Sequence, residues 1–119
     1  MDNLKKSLEE KLNSLNKEDA EKLLNDLRDE IDKLDKSIVQ LLNKRTLYAV
    51  FIGKIKNELS IPTYSPEREK DISEKIKSYL EEPLTKSALQ RIYERIIDES
   101  RAIQKNDGEN KENSNMHKK

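Results

Sequence analysis

A seven-residue apolar repeat occupies the first half of the chain. The residues of this stripe alternate at spacings of three and four, with one arginine among them: Leu24, Leu27, Ile31, Leu34, Ile38, Leu41, Arg45, Tyr48, Ile52, Ile55 and Leu59. This periodicity predicts one long α-helix with a single apolar face. No proline interrupts the helix, which is expected to begin at Lys17, after a cap at Asn16, and to end near Leu59.

The length of the stripe indicates that it is covered by another chain. At the helical rise per residue, a stripe of about 36 residues spans roughly 54 Å. A compact monomer of this size has a radius of gyration of only about 13–14 Å. The other predicted helices are too short to cover such a stripe, so the sequence predicts a homodimer in which a second copy covers it.

The remainder of the chain also has helical patterns. Apolar residues at helical spacing predict a short extra N-terminal helix over residues 3–15: Leu4, Leu8, Leu12 and Leu15. Ser65 and Pro66 are start signals for a second helix over about 66–81. One face of that helix is expected to carry Ile72, Ile76, Tyr79 and Leu80.

Thr85 can cap a third helix, whose apolar stripe comprises Leu89, Ile92, Tyr93, Ile96 and Ile97. The expected fold is therefore all-α, with one long helix and two shorter helices per protomer in an intertwined homodimer, after the short N-terminal helix. We divide the chain into an N-terminal helical extension (1–20), a main domain (21–105) and a disordered polar tail (106–119).

Composition excludes several classes of function. The 24 basic and 24 acidic residues give zero formal net charge, which argues against nucleic acid or an anionic membrane as a partner. The chain has no cysteine, and its single histidine, His117, lies in the polar tail. No apolar run approaches the length of a membrane span of about 18 residues. A cytoplasmic protein is the expectation.

Four polar residues lie on or near the apolar faces. Arg45 is in the stripe itself, and Lys56 lies eleven residues later, about 20° around the helix and roughly 16 Å along it. Ser100 and Gln104 continue the stripe of the third helix. Each has an ordinary explanation: Arg45 could set the register or pair with a buried acid, Lys56 could be a solvated surface residue, and the other two could mark the end of a core stripe.

Together, these residues favour a site for an organic anion. Cations facing an apolar pocket require compensating negative charge, and the guanidinium fork suits a carboxylate. Gly53, which lies between Arg45 and Lys56, indicates a close approach to the helix. No histidine, cysteine or nucleophile–base pair accompanies the cations. The pattern therefore indicates binding and polarisation of an anion rather than proton transfer or covalent catalysis.

The segments LRDEIDKLDKSIVQLLNKR, IGKIK, PTYSPERE and IIDESRAIQ closely resemble the all-α (AroQ-class) chorismate mutases over about residues 24–104. The resemblance implies an intertwined dimer of three-helix protomers with active sites shared between chains. It also implies conversion of chorismate to prephenate, in the biosynthesis of phenylalanine and tyrosine, without a cofactor or metal.

The resemblance further implies roles for individual residues. Arg28 and Arg45 would bind the two substrate carboxylates, and Ser100 would bind a carboxylate as well. Lys56 would contact the ether oxygen and a carboxylate, and Gln104 would donate to the same oxygen. The catalytic set is then Lys56, Gln104 and Arg45. Among the other substrate-binding residues, Glu69 would accept from the ring hydroxyl, and Ser65 replaces an aspartate common among relatives. Arg68, outside this set, would orient the other residues.

The positions of Arg28 and Arg45 make the shared site testable. They are seventeen residues apart, about 25 Å along a straight helix, so both can bind one small molecule only if Arg28 comes from the partner chain. Two alternatives are an isochorismate-pyruvate lyase of the same fold and a non-enzymatic helical dimer or adaptor. Glu69 and Ser100 favour the mutase over the lyase.

Overall fold

The computed structural model describes the backbone of residues 1–117 and the side chains of residues 1–108. It contains four α-helices: α1 (Asp2–Asn13), α2 (Lys17–Glu58), α3 (Pro66–Lys77) and α4 (Lys86–His117). Within the described residues there is no strand. The all-α fold, the short N-terminal helix and the long second helix are thus confirmed.

Side-chain caps begin three of these helices as the sequence predicts. Before α2, the Oδ1 of Asn16 accepts from the backbone N–H of Asp19 at 2.9 Å. Before α3, the Oγ of Ser65 accepts from the N–H of Arg68 at 3.2 Å, and Pro66 follows at the first helical position. Before α4, the Oγ1 of Thr85 accepts from the N–H of Ala88 at 3.2 Å. These bonds set the helix starts that flank the site.

The end of α2 is a Schellman-type turn without glycine. The N–H of Ile61 donates to the carbonyl of Lys56 at 2.8 Å, and that of Ser60 donates to the carbonyl of Asn57 at 3.1 Å. Ser60 has a φ of 55°, in the left-handed region that glycine usually occupies at this position. These bonds close the C-terminal end of α2, so Lys56 lies in the last turn of the helix.

Helix α3 is shorter than predicted, because it ends at Lys77 rather than near residue 81. Its last turn tightens into bonds between residues three apart, from the N–H of Ser78 to Lys75 and from that of Tyr79 to Ile76, both 3.1 Å. The side chain of Tyr79 is 76% exposed and does not belong to an apolar face of α3. The predicted placement of Tyr79 and Leu80 on α3 is therefore wrong.

Helix α4 is longer than predicted. Its backbone remains helical through His117, so the tail expected to be disordered begins as helix. Lys118 and Lys119 lie outside the described residues. The division of the chain at residues 20 and 105 stays a prediction.

The described chain forms two compact units, Met1–Leu42 and the part that begins at Asn43. In the second unit α3 packs against α4. Ile76 on α3 is buried, and four residues of the predicted α4 stripe are half-buried: Leu89, Tyr93, Ile96 and Ile97. This small core holds the two helices that, with the C-terminal part of α2, carry the candidate site.

The apolar residues of the α2 stripe are exposed in the single chain, with exposed fractions between 37% and 66%. A contiguous apolar surface of this length is unusual for a monomer and is typical of an interface. None of the helices in the described part of the chain has an apolar stretch long enough to cross a membrane.

Candidate active site

A cavity of about 270 Å³ lies in the second unit, between α2, α3, α4 and the α2–α3 connection. Six residues of the predicted site line it: Arg45, Lys56, Ser65, Glu69, Ser100 and Gln104. Arg68 lines it as well. Residues separated by up to 59 positions in the sequence are therefore brought to one cavity.

Arg45 is half-buried and bound to α4. Its Nη1 donates to the Oγ of Ser100 at 3.1 Å, and Ser100 is buried, with 8% of its surface exposed. This bond fixes the guanidinium with a neutral partner, so its charge is not cancelled by a carboxylate. The arginine in the apolar stripe is thus directed into the cavity region rather than paired with a buried acid.

Lys56 is held where α2 ends. Its Nζ donates to the backbone carbonyl of Thr63 at 3.2 Å, and its own carbonyl accepts the N–H of Ile61. Both bonds join Lys56 to the α2–α3 connection. The ammonium group has a neutral partner here and keeps two further N–H donors for a ligand.

Gln104, on α4, is oriented by a hydrogen bond to the backbone of α2. Its Nε2 donates to the backbone carbonyl of Ala49, which leaves the second amide hydrogen for a ligand. At Gly53, where the sequence predicts a close approach, an added Cβ would lie 3.5 Å from Cγ of Gln104, which is an ordinary van der Waals distance. The glycine therefore borders the side chain of Gln104.

Glu69 has one occupied and one unoccupied carboxylate oxygen. Its Oε1 accepts from Nη2 of Arg101 in an ion pair between α3 and α4. Its Oε2 is buried and has no hydrogen-bond partner among the described residues. A buried oxygen of this kind is costly unless a ligand supplies a donor.

Arg68 and Ser65 have structural partners at the start of α3. Arg68 forms an ion pair with Asp71 at 2.8 Å, and Asp71 also contacts Lys75 at 3.1 Å. A hydrogen bond from Lys75, together with Arg68, holds the pKa of Asp71 below its usual value. The hydroxyl of Ser65 accepts the capping bond from Arg68 and keeps its own hydrogen for donation.

Arg28, the remaining predicted site residue, does not line this cavity. It lies in the first unit, Met1–Leu42. One chain thus supplies all the predicted site residues except this arginine.

The charges of the cavity favour an anion with more than one negative group. Its lining contains four cations, Arg45, Lys56, Arg68 and Arg101, against one carboxylate, that of Glu69. Neither histidine nor cysteine lines the cavity. No group of three or more potential metal ligands occurs among the residues searched in the described part of the chain. The arrangement can bind, orient and polarise an anion.

Two lining residues, Arg101 and Tyr64, were not anticipated from the sequence. The Cζ of Arg101 lies 4.5 Å from the centroid of the Tyr64 ring. Helical spacing carried a signal for Arg101, because it follows Ile97 by four residues and precedes Gln104 by three, which places all three on one face. A charged residue on a helix is usually solvated, so this spacing alone did not indicate that Arg101 lines a cavity.

Comparison with known proteins identifies the family. Residues 27–105 match the family described as chorismate mutase type II. The chain is 33% identical over 93 residues to a chorismate mutase of Methanocaldococcus jannaschii, covering 77% of this chain and 94% of that protein. It is 40% identical over 86 residues to a bifunctional chorismate mutase/prephenate dehydratase of Aquifex aeolicus, covering 69% of this chain but only 24% of that protein.

A solved structure also matches the fold. The crystal structure of a chorismate mutase from Helicobacter pylori in complex with prephenate superposes with a TM-score of 0.66 and 36% sequence identity, over 71% of this chain and 92% of that one. The family match, the sequence identity and the fold agree, and this chain belongs to the chorismate mutase type II family.

Proposed function

We propose that this protein is a chorismate mutase, an isomerase that converts chorismate to prephenate by an intramolecular Claisen rearrangement. The observation that carries the proposal is one cavity, in a chain of this family, lined by Arg45, Lys56, Glu69, Ser100 and Gln104. In this reaction a C–C bond forms while the ether C–O bond breaks, and no proton is transferred. The absence of a nucleophile–base pair from the predicted set is compatible with that chemistry.

The first contribution to rate is restraint of the substrate. Chorismate carries two carboxylates, and its side chain must fold over the ring before the new bond can form. Arg45, fixed by Ser100, can bind one carboxylate with the fork of its guanidinium. Holding a flexible molecule in its reactive conformation before the chemical step removes part of the entropic barrier.

The second contribution is stabilisation of charge at the ether oxygen. This oxygen gains negative charge as the C–O bond breaks, and Lys56 and Gln104 are the donors that we assign to it. Each donor is oriented by a backbone carbonyl, Thr63 for Lys56 and Ala49 for Gln104. A preoriented donor at a developing negative charge contributes about 3–4 kcal/mol of transition-state stabilisation.

Glu69 supports the mutase over the isochorismate-pyruvate lyase alternative. Its buried Oε2 lacks a donor among the described residues, and a substrate hydroxyl can supply one. Ser65 and Arg68 line the same cavity, and each keeps hydrogen-bond donors for a substrate beside the capping bond and the ion pair. The adaptor alternative gives no reason for an unpaired buried acceptor beside four cations.

The dimer completes the proposed site. The exposed α2 stripe supports a second copy of the chain as its cover, since a long apolar face is stable in water only when buried. Arg28 does not line the cavity of its own chain and would reach the site of the partner, where it would bind the second carboxylate. The active substrate-binding unit is then the homodimer, located in the cytoplasm and working without a cofactor.

The principal test is an assay of chorismate loss with detection of prephenate, using purified protein. Lys56→Ala is expected to lower kcat/KM by about 100- to 1,000-fold, the effect of removing one oriented donor. Lys54→Ala is the matched control, because Lys54 lies two residues away, contacts Asp107 at 3.8 Å and does not line this cavity. Equal effects of the two substitutions, or no prephenate from the unsubstituted protein, would refute the assignment.

A mixing experiment tests the shared site. Arg28→Ala and Lys56→Ala chains, each nearly inactive alone, are unfolded together and refolded. If Arg28 acts in the partner's site, each heterodimer contains one intact site and one doubly substituted site, and activity returns. If both residues act within one chain, no intact site forms and activity stays low. Light scattering at micromolar concentration checks the dimer independently.

A further inference from the structure

Arg101 joins three elements at the wall of the cavity, and the proposed mechanism gives it no role. It lies on α4, its Nη2 forms an ion pair with Oε1 of Glu69 on α3, and its guanidinium carbon is 4.5 Å from the ring centroid of Tyr64. Tyr64 belongs to the connection between α2 and α3. One side chain on α4 therefore contacts both this connection and α3 beside the site.

The two carboxylate oxygens of Glu69 have different surroundings. Arg101 occupies Oε1, whereas Oε2 is buried without a partner among the described residues. The guanidinium lies over the Tyr64 ring, a contact that restricts the rotation of the guanidinium and therefore that of the carboxylate bound to it. The orientation of the unpaired oxygen is thus set by a contact at the other oxygen.

We propose that Arg101 is a positioning residue that aims Oε2 of Glu69 at the ring hydroxyl of the substrate. This inference rests on the proposed function, because the hydroxyl belongs to chorismate. Arg101 also compensates the negative charge of Glu69 next to a substrate with two carboxylates, which the lone carboxylate would otherwise repel. Arginine therefore improves both the direction and the charge balance of the hydroxyl-binding group.

An ordinary surface ion pair is the competing explanation. The side chains of Arg101 and Glu69 are 43% and 28% exposed, and exposed pairs contribute little to stability. The two explanations differ in what they affect. A surface pair affects at most the stability of the fold, whereas a positioning residue affects recognition of one substrate group.

The test compares two substrates, chorismate and an analogue whose ring hydroxyl is methylated and cannot donate a hydrogen bond. Arg101→Met keeps an unbranched side chain over Tyr64 and removes the cation. We expect kcat/KM for chorismate to fall about 10-fold, as for loss of an oriented charged hydrogen bond. For the methylated analogue, the same substitution is expected to change kcat/KM by less than about twofold.

Arg95→Met is the matched control. Arg95 lies on the same helix, pairs with Glu99 at 2.8 Å, is 78% exposed and does not line the cavity. It is expected to leave kcat/KM for both substrates within about twofold of the unsubstituted protein. Circular dichroism and light scattering check that all variants keep their helical content and assembly.

A double substitution gives an independent readout. If Arg101 acts through Glu69, adding Arg101→Met to Glu69→Ala should produce no loss of kcat/KM beyond that of Glu69→Ala alone. Additive losses would overturn the proposal. Should Arg101→Met fail to fold, Arg101→Lys is used in the two-substrate comparison, with a smaller expected loss of about threefold for chorismate only.

The remaining outcomes are also decisive. Equal losses of kcat/KM for chorismate and for the methylated analogue would assign Arg101 a structural role. No loss of kcat/KM for either substrate would mean that the ion pair has no role in recognition. Both results would overturn the proposal. Failure of the unsubstituted protein to convert chorismate would refute the proposed function, and the role of Arg101 with it. That failure appears without any substitution, so the two cases are distinguishable.

Discussion

Gly53 offers a substitution whose effects on stability and on activity can be predicted separately. It lies inside α2, where a glycine costs about 0.8–1 kcal/mol relative to alanine. A Cβ added there would lie 3.5 Å from Cγ of Gln104 and 3.7 Å from its Cβ and Cδ. These are ordinary van der Waals distances, so Gly53→Ala fits without displacing Gln104.

We therefore expect Gly53→Ala to raise the free energy of unfolding by about 0.8–1 kcal/mol per chain. For a chain of this size, the corresponding rise in Tm is about 3–6 °C. Because Gln104 keeps its bond to the carbonyl of Ala49, kcat/KM should change by less than about threefold. Thermal unfolding followed by circular dichroism, at fixed protein concentration, and the chorismate assay measure the two effects.

Larger side chains at the same position should separate the effects. Gly53→Leu places carbons beyond the Cβ, in the space that Gln104 occupies, so we expect kcat/KM to fall about 10-fold or more as Gln104 is displaced. Gly108→Ala is the control, because Gly108 also lies in a helix and a Cβ there would meet no atom within 4 Å. A fall in Tm or a large loss of activity with Gly53→Ala would refute the predicted fit at Gln104.

Three other predictions concern pH and the helix ends. Gln104→Glu should lower kcat/KM at neutral pH about 100-fold, with partial recovery toward pH 5, because only the protonated acid can donate a hydrogen bond. The kcat/KM of the unsubstituted protein should be nearly constant from about pH 6 to 9, and a sharp acidic optimum would contradict this. Ser60→Gly should stabilise the protein by about 0.5–1 kcal/mol in urea unfolding, since Ser60 has a φ of 55°, and a loss of stability would refute the strain argument. The lowered pKa of Asp71, caused first by Lys75, means that its ion pairs stabilise the fold above the usual pKa of 3.8 and cease to do so as the pH falls through the lowered pKa. The free energy of unfolding of Asp71→Asn should therefore approach that of the unsubstituted protein as the pH is lowered. A difference in this free energy that stays constant with pH would exclude the contribution.

Helical periodicity was sufficient to predict which residues of two helices line the same cavity. Arg45 and Lys56 are eleven residues apart on one helix, and a helix of known rise places them on one side. Ser100 and Gln104 extend an apolar stripe on another helix, so their face was also predictable. The structure brings all four residues to the same cavity.

Two features were not predicted from the sequence. One is a contact between separate elements, and the other is the position at which a helix ends. The contact between Arg101 and Tyr64 depends on the path of the α2–α3 connection, which no local pattern encodes. The predicted end of α3, near residue 81, lies just before Pro83, a residue that cannot continue a helix, but the backbone tightens at Ser78 first. Hydrogen bonds to residues three positions earlier ended the helix without a glycine or proline at that point.

The turn that ends α2 has a consequence for engineering of this protein. Connections between helices usually tolerate insertions and fusion tags well. Here Lys56 accepts the N–H of Ile61 with its carbonyl and donates to the carbonyl of Thr63 with its side chain, so the number of residues between them is fixed. A peptide inserted between residues 57 and 62 would disconnect the lysine from its support. This short connection is therefore a poor insertion site, although it lies on the surface.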